Sequence, residues 1–267
     1  MRNPYLLAAL LATLFRPGAV AGQATTDQAR LVFGVGIGQR SGGGSLWFVG
    51  RQPFLTQGAA DTMAVGRHFR PNLALLFSGT YFPGDHFGMT AEVQLLGLGT
   101  TDTCGIVTTG GSAATALFCN ALDGSNRSSG ATAISVGAIY RVGSHQPIHV
   151  YGRANVGVVL APSSFIRTTA DYLAPGDITP TEVVLYRDDK GTSVRPTLTL
   201  GGGVVTVIGR SYQLRFELRD NWVGIPAITG ATGGQGFVPQ SSITNRHFLS
   251  FLLSFDVVLE RKRGRRY

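Results

Sequence analysis

The stretch LSFLLSFDVVL, residues 249–259, alternates in character from one residue to the next. Its odd-numbered positions are all large and apolar, whereas its even-numbered positions include Ser250, Ser254 and Asp256. Successive side chains of a β-strand point to opposite faces of the sheet, so this pattern predicts a strand with one apolar face and one more polar face.

The same period-two pattern recurs along the chain, and helical periodicity is absent. In residues 211–222 the apolar positions run from Tyr212 to Trp222 and oppose polar ones, with Asp220 interrupting the apolar side. Further strands are predicted at 30–40, 72–82, 86–98, 130–142, 147–160 and 193–208.

The connections between these strands alternate in length. Turns of a few residues, rich in Gly, Pro and Asp, alternate with connections of about thirty residues at 41–71, 99–129, 161–192 and 223–244. Short turns on one rim and long loops on the other are typical of an up-and-down transmembrane β-barrel. We therefore predict an all-β, closed antiparallel barrel of eight strands, or of ten if residues 45–54 and 61–69 join it as separate strands.

Composition limits the class of protein. Only 14% of residues are charged and 43% are apolar, which argues against a disordered chain. No run of about 18 apolar residues occurs, which argues against a helical membrane protein.

Residues 1–24 read as a secretory signal peptide, 25–260 as the barrel domain, and 261–267 as a basic tail. The tail carries five of the basic residues, so the barrel domain is almost neutral and a nucleic-acid partner has no support.

The apolar face is expected to meet lipid, because the opposite face carries full charges at mid-strand. Aromatic residues lie on the apolar face near the strand ends, as in the interfacial girdle of membrane barrels. This predicted aromatic belt comprises Tyr81, Phe87, Tyr140, Tyr212 and Trp222. A secreted, soluble ligand-binding barrel with its apolar face inward is the alternative.

With these features the chain resembles the small outer-membrane β-barrels of Gram-negative bacteria, the OmpA/OmpX/OmpW-like group. The resemblance covers roughly residues 30–260. It implies a location in the outer membrane after export, with outer-membrane lipid and the assembly machinery as partners. Members of the group usually end at a terminal aromatic on the last strand, whereas here the basic tail precedes Tyr267.

Counting five residues from the short-turn end of each strand places Glu92, Arg153 and Glu217 at one height in the lumen, flanked by Arg215 and Arg219. An eight-stranded barrel is just wide enough for side chains to fill. The cluster is therefore expected to form either a salt-bridged plug or the lining of a narrow, selective pore.

No constellation of residues indicates catalysis, a cofactor or a metal site. Outer-membrane lipid A deacylases resemble this architecture and use a His/Ser pair, but His247 and Ser250 are three apart and point to opposite faces. Export allows a disulfide between Cys104 and Cys119. We expect a non-catalytic barrel with a structural, surface-interaction or narrow-pore role, or, with less support, a lipid A-modifying enzyme.

The long loops are the remaining place for a function. Trp222, Ile225 and Phe237 are candidates for an adhesive or hydrophobic-entry surface, or for side chains that cap the barrel mouth. An extracellular ligand bound through the loops is accordingly a further expected partner.

Overall fold

The computed structural model describes residues 30–42, 44–56, 59–144, 146–161, 165–173, 178–188, 193–209 and 211–260. The predicted signal peptide, residues 1–24, and the basic tail, residues 261–267, lie outside the described residues. No helix in these ranges is long and apolar enough to cross a membrane.

Within the described ranges, eight antiparallel strands close into a barrel, as predicted. The barrel strands are β1 (Arg30–Arg40), β4 (Asn72–Phe82), β5 (Phe87–Gly97), β8 (Gly130–Val142), β9 (Ile148–Ala161), β12 (Ser193–Val207), β13 (Tyr212–Ile228) and β14 (Ser241–Glu260). Around the wall each strand pairs with its neighbours in the order β1-β14-β13-β12-β9-β8-β5-β4, and β4 pairs with β1 to close the barrel.

The long connections are folded; the sequence offered strands in only the first of them, at 45–54 and 61–69. They contain β2 (Ser45–Thr56), β3 (Ala59–Phe69), β6 (Thr100–Ile106) and β7 (Asn126–Arg127), which form a four-stranded sheet, and the hairpin of β10 (Thr168–Tyr172) with β11 (Thr181–Tyr186). A ten-stranded barrel is therefore wrong, because β2 and β3 pair with each other in this separate sheet. We call the two small sheets and helix α1 (Ala113–Leu122) the cap.

Helix α1 contradicts the prediction that the chain lacks helical segments. Its sequence, AATALFCNAL, is rich in the good helix formers Ala and Leu. The side chain of Ser112 accepts a hydrogen bond from the backbone of Thr115 and so caps the first turn. The helix spans less than three turns, too few for a clear apolar periodicity in its sequence.

The barrel has its apolar face outward, as the sequence predicted. Phe216, Phe251 and Leu253 are 41%, 54% and 39% exposed, whereas Arg215 and Glu217 are 3% and 1% exposed. A soluble barrel would bury the first set and expose the second. The burial thus favours a surrounding of lipid rather than water.

Strands β13 and β14 are longer than predicted and rise above the rest of the wall. They remain paired from Tyr212↔Val257 to Ile228↔Ser241, whereas the pairing of β1 with β14 ends at Arg40↔Ser250. The upper part of this ribbon lies against the cap, where Arg246 donates a hydrogen bond to the backbone oxygen of Leu46.

Candidate functional site

The predicted polar cluster lies inside the barrel as one network of ion pairs. Glu217 accepts hydrogen bonds from the Nε of Arg219, at 3.0 Å, and from the Tyr151 hydroxyl, at 2.8 Å. Glu92 contacts Arg153 and lies 3.1 Å from the Nη1 of Arg219. The two carboxylates and two guanidinium groups are each at most 5% exposed.

A second ion pair lies beside the first, and one of its members was not predicted. Arg215 lies 3.2 Å from the carboxylate of Asp256 and donates to the hydroxyl of Ser78 at 2.9 Å. All five predicted lumen residues are thus brought together, and Asp256 completes the set. The described ion layer, with three arginines against three acids, is electrically balanced.

Glycines make room for these long side chains. A β-carbon added at Gly34 would lie 2.1 Å from an oxygen of Asp256, and one at Gly201 would lie 2.7 Å from an oxygen of Glu217. Small residues on the inner face therefore allow the ion layer to fit within an eight-stranded wall.

Apolar side chains close the lumen on both sides of the ion layer. Toward the short turns lies a buried cluster of Val32, Phe82, Ile139, Tyr151, Val205 and Val258. Toward the cap, Leu96 and Phe248 are each 3% exposed and belong to a larger core that continues into the long connections. Between the lower cluster and the ion layer there is a cavity of about 20 Å³, which is enough for about one water molecule.

At each end of the lumen, an arginine packs against an aromatic ring and fills the space between the strands. At the short-turn end the guanidinium of Arg141 stacks 3.9 Å above the ring centre of Phe82. At the cap end the fully buried Arg40 lies over Phe248 and donates to the backbone oxygens of Gly97 and Arg70. These contacts extend the plug along most of the height of the wall.

The cap is held by a disulfide and by a capped helix. Cys104 in β6 and Cys119 in α1 form the disulfide that the sequence suggested. The carboxylate of Asp61, from the β2–β3 hairpin, accepts hydrogen bonds from Thr115 and from the side chain and backbone of Ser112. These bonds lower the pKa of the Asp61 carboxyl, with Thr115 as the largest contributor.

An ion triad around the buried Asp102 joins three of the long connections. A carboxylate oxygen of Asp102 accepts hydrogen bonds from the Nη2 of Arg67 and from the Nε of Arg127, each at 2.9 Å. Arg67 also donates to the backbone of Phe165, and Arg127 to Thr169. Burial lowers the pKa of the Arg67 guanidinium, whereas its hydrogen bond with Asp102 raises it.

The buried side-chain amide of Gln52 joins the fourth long connection, residues 223–244, to the others. The side-chain oxygen of Gln52 accepts from the Tyr186 hydroxyl at 2.9 Å and from the backbone of Thr232 at 3.0 Å. Nearby, Trp47 donates its indole N–H to the backbone oxygen of Phe165. All four long connections therefore contribute to one cross-linked structure above the barrel.

The predicted loop candidates fall in three different places. Ile225 is 2% exposed and belongs to the core below the cap, so it closes the barrel mouth. Phe237 is 58% exposed and forms a backbone bridge with Tyr186 of β11, and Trp222 is 38% exposed on the outer face of β13. Sequence reasoning could not separate these three roles, because each depends on contacts between distant parts of the chain.

The other belt residues lie on the outer face near the short turns. Tyr81, Phe87, Tyr140 and Tyr212 are all between 43% and 55% exposed. Phe87 and Tyr140 are direct partners across adjacent strands, and Tyr212 stacks on Phe255. This arrangement fits the interfacial girdle that the sequence predicted.

Two observations bear on the catalytic alternative. His247 is exposed on the outer face and Ser250 is 1% exposed inside, so the two do not meet. His247 instead lies 2.9 Å from Asp220, a pairing that sequence reasoning missed. Among the described residues, no group of His, Cys, Asp and Glu side chains could hold a metal ion.

No protein-family model matches the chain, and no curated protein matches it. Solved structures do match it at low identity. Neisserial surface protein A shares 12% identity over 87% of this chain and 99% of its own, with a TM-score of 0.38. The outer-membrane protein AlkL shares 16% identity over 91% and 96%, with a TM-score of 0.40.

The outer-membrane protein OprG from Pseudomonas aeruginosa shares 9% identity over 88% of this chain and 98% of its own, with a TM-score of 0.43. These similarities concern the fold. The predicted barrel fold is confirmed by the closed eight-stranded wall of the chain itself, and what the protein does has to be argued from its own residues.

Proposed function

We propose that the chain is an integral, non-catalytic β-barrel of the Gram-negative outer membrane, reached after removal of the signal peptide. In this proposal the barrel is a closed anchor that holds the cap at the cell surface, where the cap meets extracellular partners. Outer-membrane lipid surrounds the barrel, and the assembly machinery inserts it.

The observation that carries this proposal is the layered filling of the lumen. A conducting pore needs a continuous polar path, whereas here an ion-paired layer is enclosed between two apolar clusters. Glu217 is hydrogen-bonded to both an arginine and a tyrosine and is 1% exposed, so it has no free face toward a passing solute. The plug is thus favoured over the narrow pore.

The cap supplies the surface role. Three separate buried networks, centred on Asp61, Asp102 and Gln52, join connections that in many barrels are simple loops. Ordering a loop costs roughly 1–2 kcal/mol per residue in backbone entropy. A cap that is ordered in advance avoids this cost on binding, which favours recognition of a partner.

Conductance and membrane extraction test the proposal. We expect the full mature chain to stay with membranes in carbonate and to give no conductance steps in planar bilayers. The paired variant Leu96→Ala/Phe248→Ala, which thins the upper apolar cluster, should remain closed, since the ion layer below still blocks the lumen. Defined conductance steps in the wild-type protein would establish the pore, and release by carbonate would establish the soluble barrel.

A further inference from the structure

The outermost part of β14 has one side without a partner strand. Pairing with β1 ends at Arg40↔Ser250, and the next residue, Ser41, donates its backbone N–H to the oxygen of Leu249 at 2.7 Å. Beyond that point β14 continues outward to Ser241, and no backbone group of the described residues pairs with it on this side. The upper part of β14 is therefore a sheet edge, paired only with β13.

The backbone groups along this edge alternate in direction. In an antiparallel sheet both backbone groups of one residue face the same neighbouring strand, and those of the next residue face the opposite one. Leu249 faces β1. His247, Asn245 and Ile243 therefore present their N–H and C=O groups to that same side. All three residues are exposed, so a further strand can reach their backbone groups.

A groove of about 420 Å³ lies along this edge. Its lining includes residues 245–249 of β14 together with Ser41, Gly42 and Gly44. At Gly42 the chain that leaves β1 lies against Pro71, where a β-carbon would come within 2.2 Å of the proline nitrogen. Since Ser41 is the last residue that bonds to β14 on this side, the groove lies where an added strand would run. Its volume is within the range of ligand sites.

Two neighbouring edges are protected. The pairing of β12 with β13 ends at Thr197↔Val223, and beyond it the side of β13 that faces away from β14 carries Pro226, which has no N–H to offer. On β2, the side-chain amide of Gln235 accepts from the backbone N–H of Leu55 and donates to its C=O, in place of a strand. Proteins protect exposed edges in this way against unwanted pairing. Among the described residues the edge of β14 has neither protection, which favours a role in pairing.

The edge lies outside the hydrocarbon layer. The outward residues of β14 are apolar up to Leu249, whereas the next two, His247 and Asn245, are polar. A change of this kind marks the end of the apolar band of a membrane barrel. A segment that pairs here comes from the extracellular side, where the proposed function places the cap.

The charge beside the edge favours an acidic partner. Arg246 lines the groove, and its Nε has no hydrogen-bond partner among the described residues. Its backbone faces β13, so the residue opposite it on an added strand would be a close side-chain neighbour. Opposite charges directly across two strands stabilise their pairing. Asp220, which also lines the groove, is on the other face of the sheet and contacts His247.

We propose that the edge of β14 binds an extended peptide segment of an extracellular protein, which adds a strand beside residues 243–247 and places an acidic side chain opposite Arg246. In this form of recognition the backbone hydrogen bonds supply the affinity, and the side chains supply the selectivity. The inference rests on the proposed function and deepens it, because it states how a partner at the cell surface is held.

The test is selection of random nine-residue peptides on the full mature chain in lipid nanodiscs, followed by fluorescence anisotropy of the selected peptides. Each should carry Asp or Glu, and changing that residue to its amide should weaken binding about tenfold. N-methylation should weaken binding at every second peptide amide, because only alternate N–H groups face β14. A selection that yields no binders, or binders without this alternation, would overturn the proposal.

Asn245→Pro tests the edge itself. It removes an N–H that faces the groove and keeps the pairing with β13, and Pro226 shows that the ribbon accepts proline at such a position. The variant should bind the peptides about tenfold more weakly, whereas the matched control Asn245→Ala keeps the N–H and should bind as the wild type does. Arg246→Gln should bind the acidic peptides and their amide forms equally.

The readouts keep this inference separate from the proposed function. Heat-dependent gel mobility shows whether each variant is folded, and the N-methylated peptides test the same contacts on the unaltered protein. A folded chain that stays with membranes in carbonate but selects no peptide would refute the pairing and leave the anchor intact. Wild-type dimers that Asn245→Pro separates in native mass spectrometry would assign the edge to a second copy instead of a peptide.

Discussion

Glu217→Gln is the substitution that tests the lumen most directly. It replaces a carboxylate by an amide of nearly the same shape, so packing is preserved while one negative charge is lost. Arg153 and Arg219 would then face the single remaining carboxylate of Glu92, in a layer where all of these side chains are buried.

The expected cost follows from burial and distance. At an effective dielectric constant near 20, unit charges about 4 Å apart interact by about 4 kcal/mol. Removing one partner of a buried ion pair typically costs about 3–5 kcal/mol, because the other charge remains buried without compensation. We therefore expect Glu217→Gln to lower the free energy of unfolding by about 3–5 kcal/mol.

The assay is urea unfolding of the barrel in lipid vesicles, followed by heat-dependent gel mobility and by fluorescence of Trp47 and Trp222. Glu182→Gln is the matched control, since Glu182 is 51% exposed in the cap, and its effect should be at most about 0.5 kcal/mol. Restoring the charge balance with Glu217→Gln/Arg219→Gln should recover part of the loss. A Glu217→Gln protein as stable as the control would refute a buried, mutually dependent ion layer.

Three further predictions concern the cap and the inner wall. Asp61→Asn should destabilise α1 at pH 7. The folded state lowers the pKa of the Asp61 carboxyl, so the carboxylate stabilises the folded cap above its ordinary pKa of about 4, and this stabilisation is lost as the pH falls through the lowered value. Hydrogen exchange of the wild type and of the variant should therefore converge in acid. Removing the disulfide with Cys104→Ala/Cys119→Ala, which opens a 15-residue loop, should cost the cap about 3 kcal/mol and increase its proteolysis, while the heat-dependent mobility of the barrel stays unchanged. Gly34→Ala should lower the stability of the barrel by about 1–3 kcal/mol in urea, because the new methyl group meets an ion pair, whereas Gly105→Ala has open space and should be neutral.

The barrel was predictable because it depends on local alternation. The pattern in residues 249–259 records which face each side chain occupies, and it holds in β14 whatever the rest of the chain does. The long connections have no comparable sequence pattern. The contact of Arg67 with Asp102 joins two connections separated by two barrel strands, and no periodicity in either segment predicts this contact.

The lumen was predictable in part for the same reason. Strand parity correctly placed Arg215 and Glu217 inside, but counting from the short turns missed Asp256, since the stagger of neighbouring strands shifts their heights. Parity did not reveal the role of Leu96 and Phe248. Apolar residues on the inner face break the alternation of the strands, although they close the lumen toward the cap.

The seam of the wall joins the two ends of the domain, since Arg30 is the direct partner of Glu260. Contacts between such distant chain positions make folding slow, because the intervening chain must be brought together first. Until β14 pairs with β1, that edge of β1 has no partner strand and the wall is not closed. A chain truncated before Ser241 would lack β14 altogether, so we expect it to be degraded rather than accumulate as a smaller barrel.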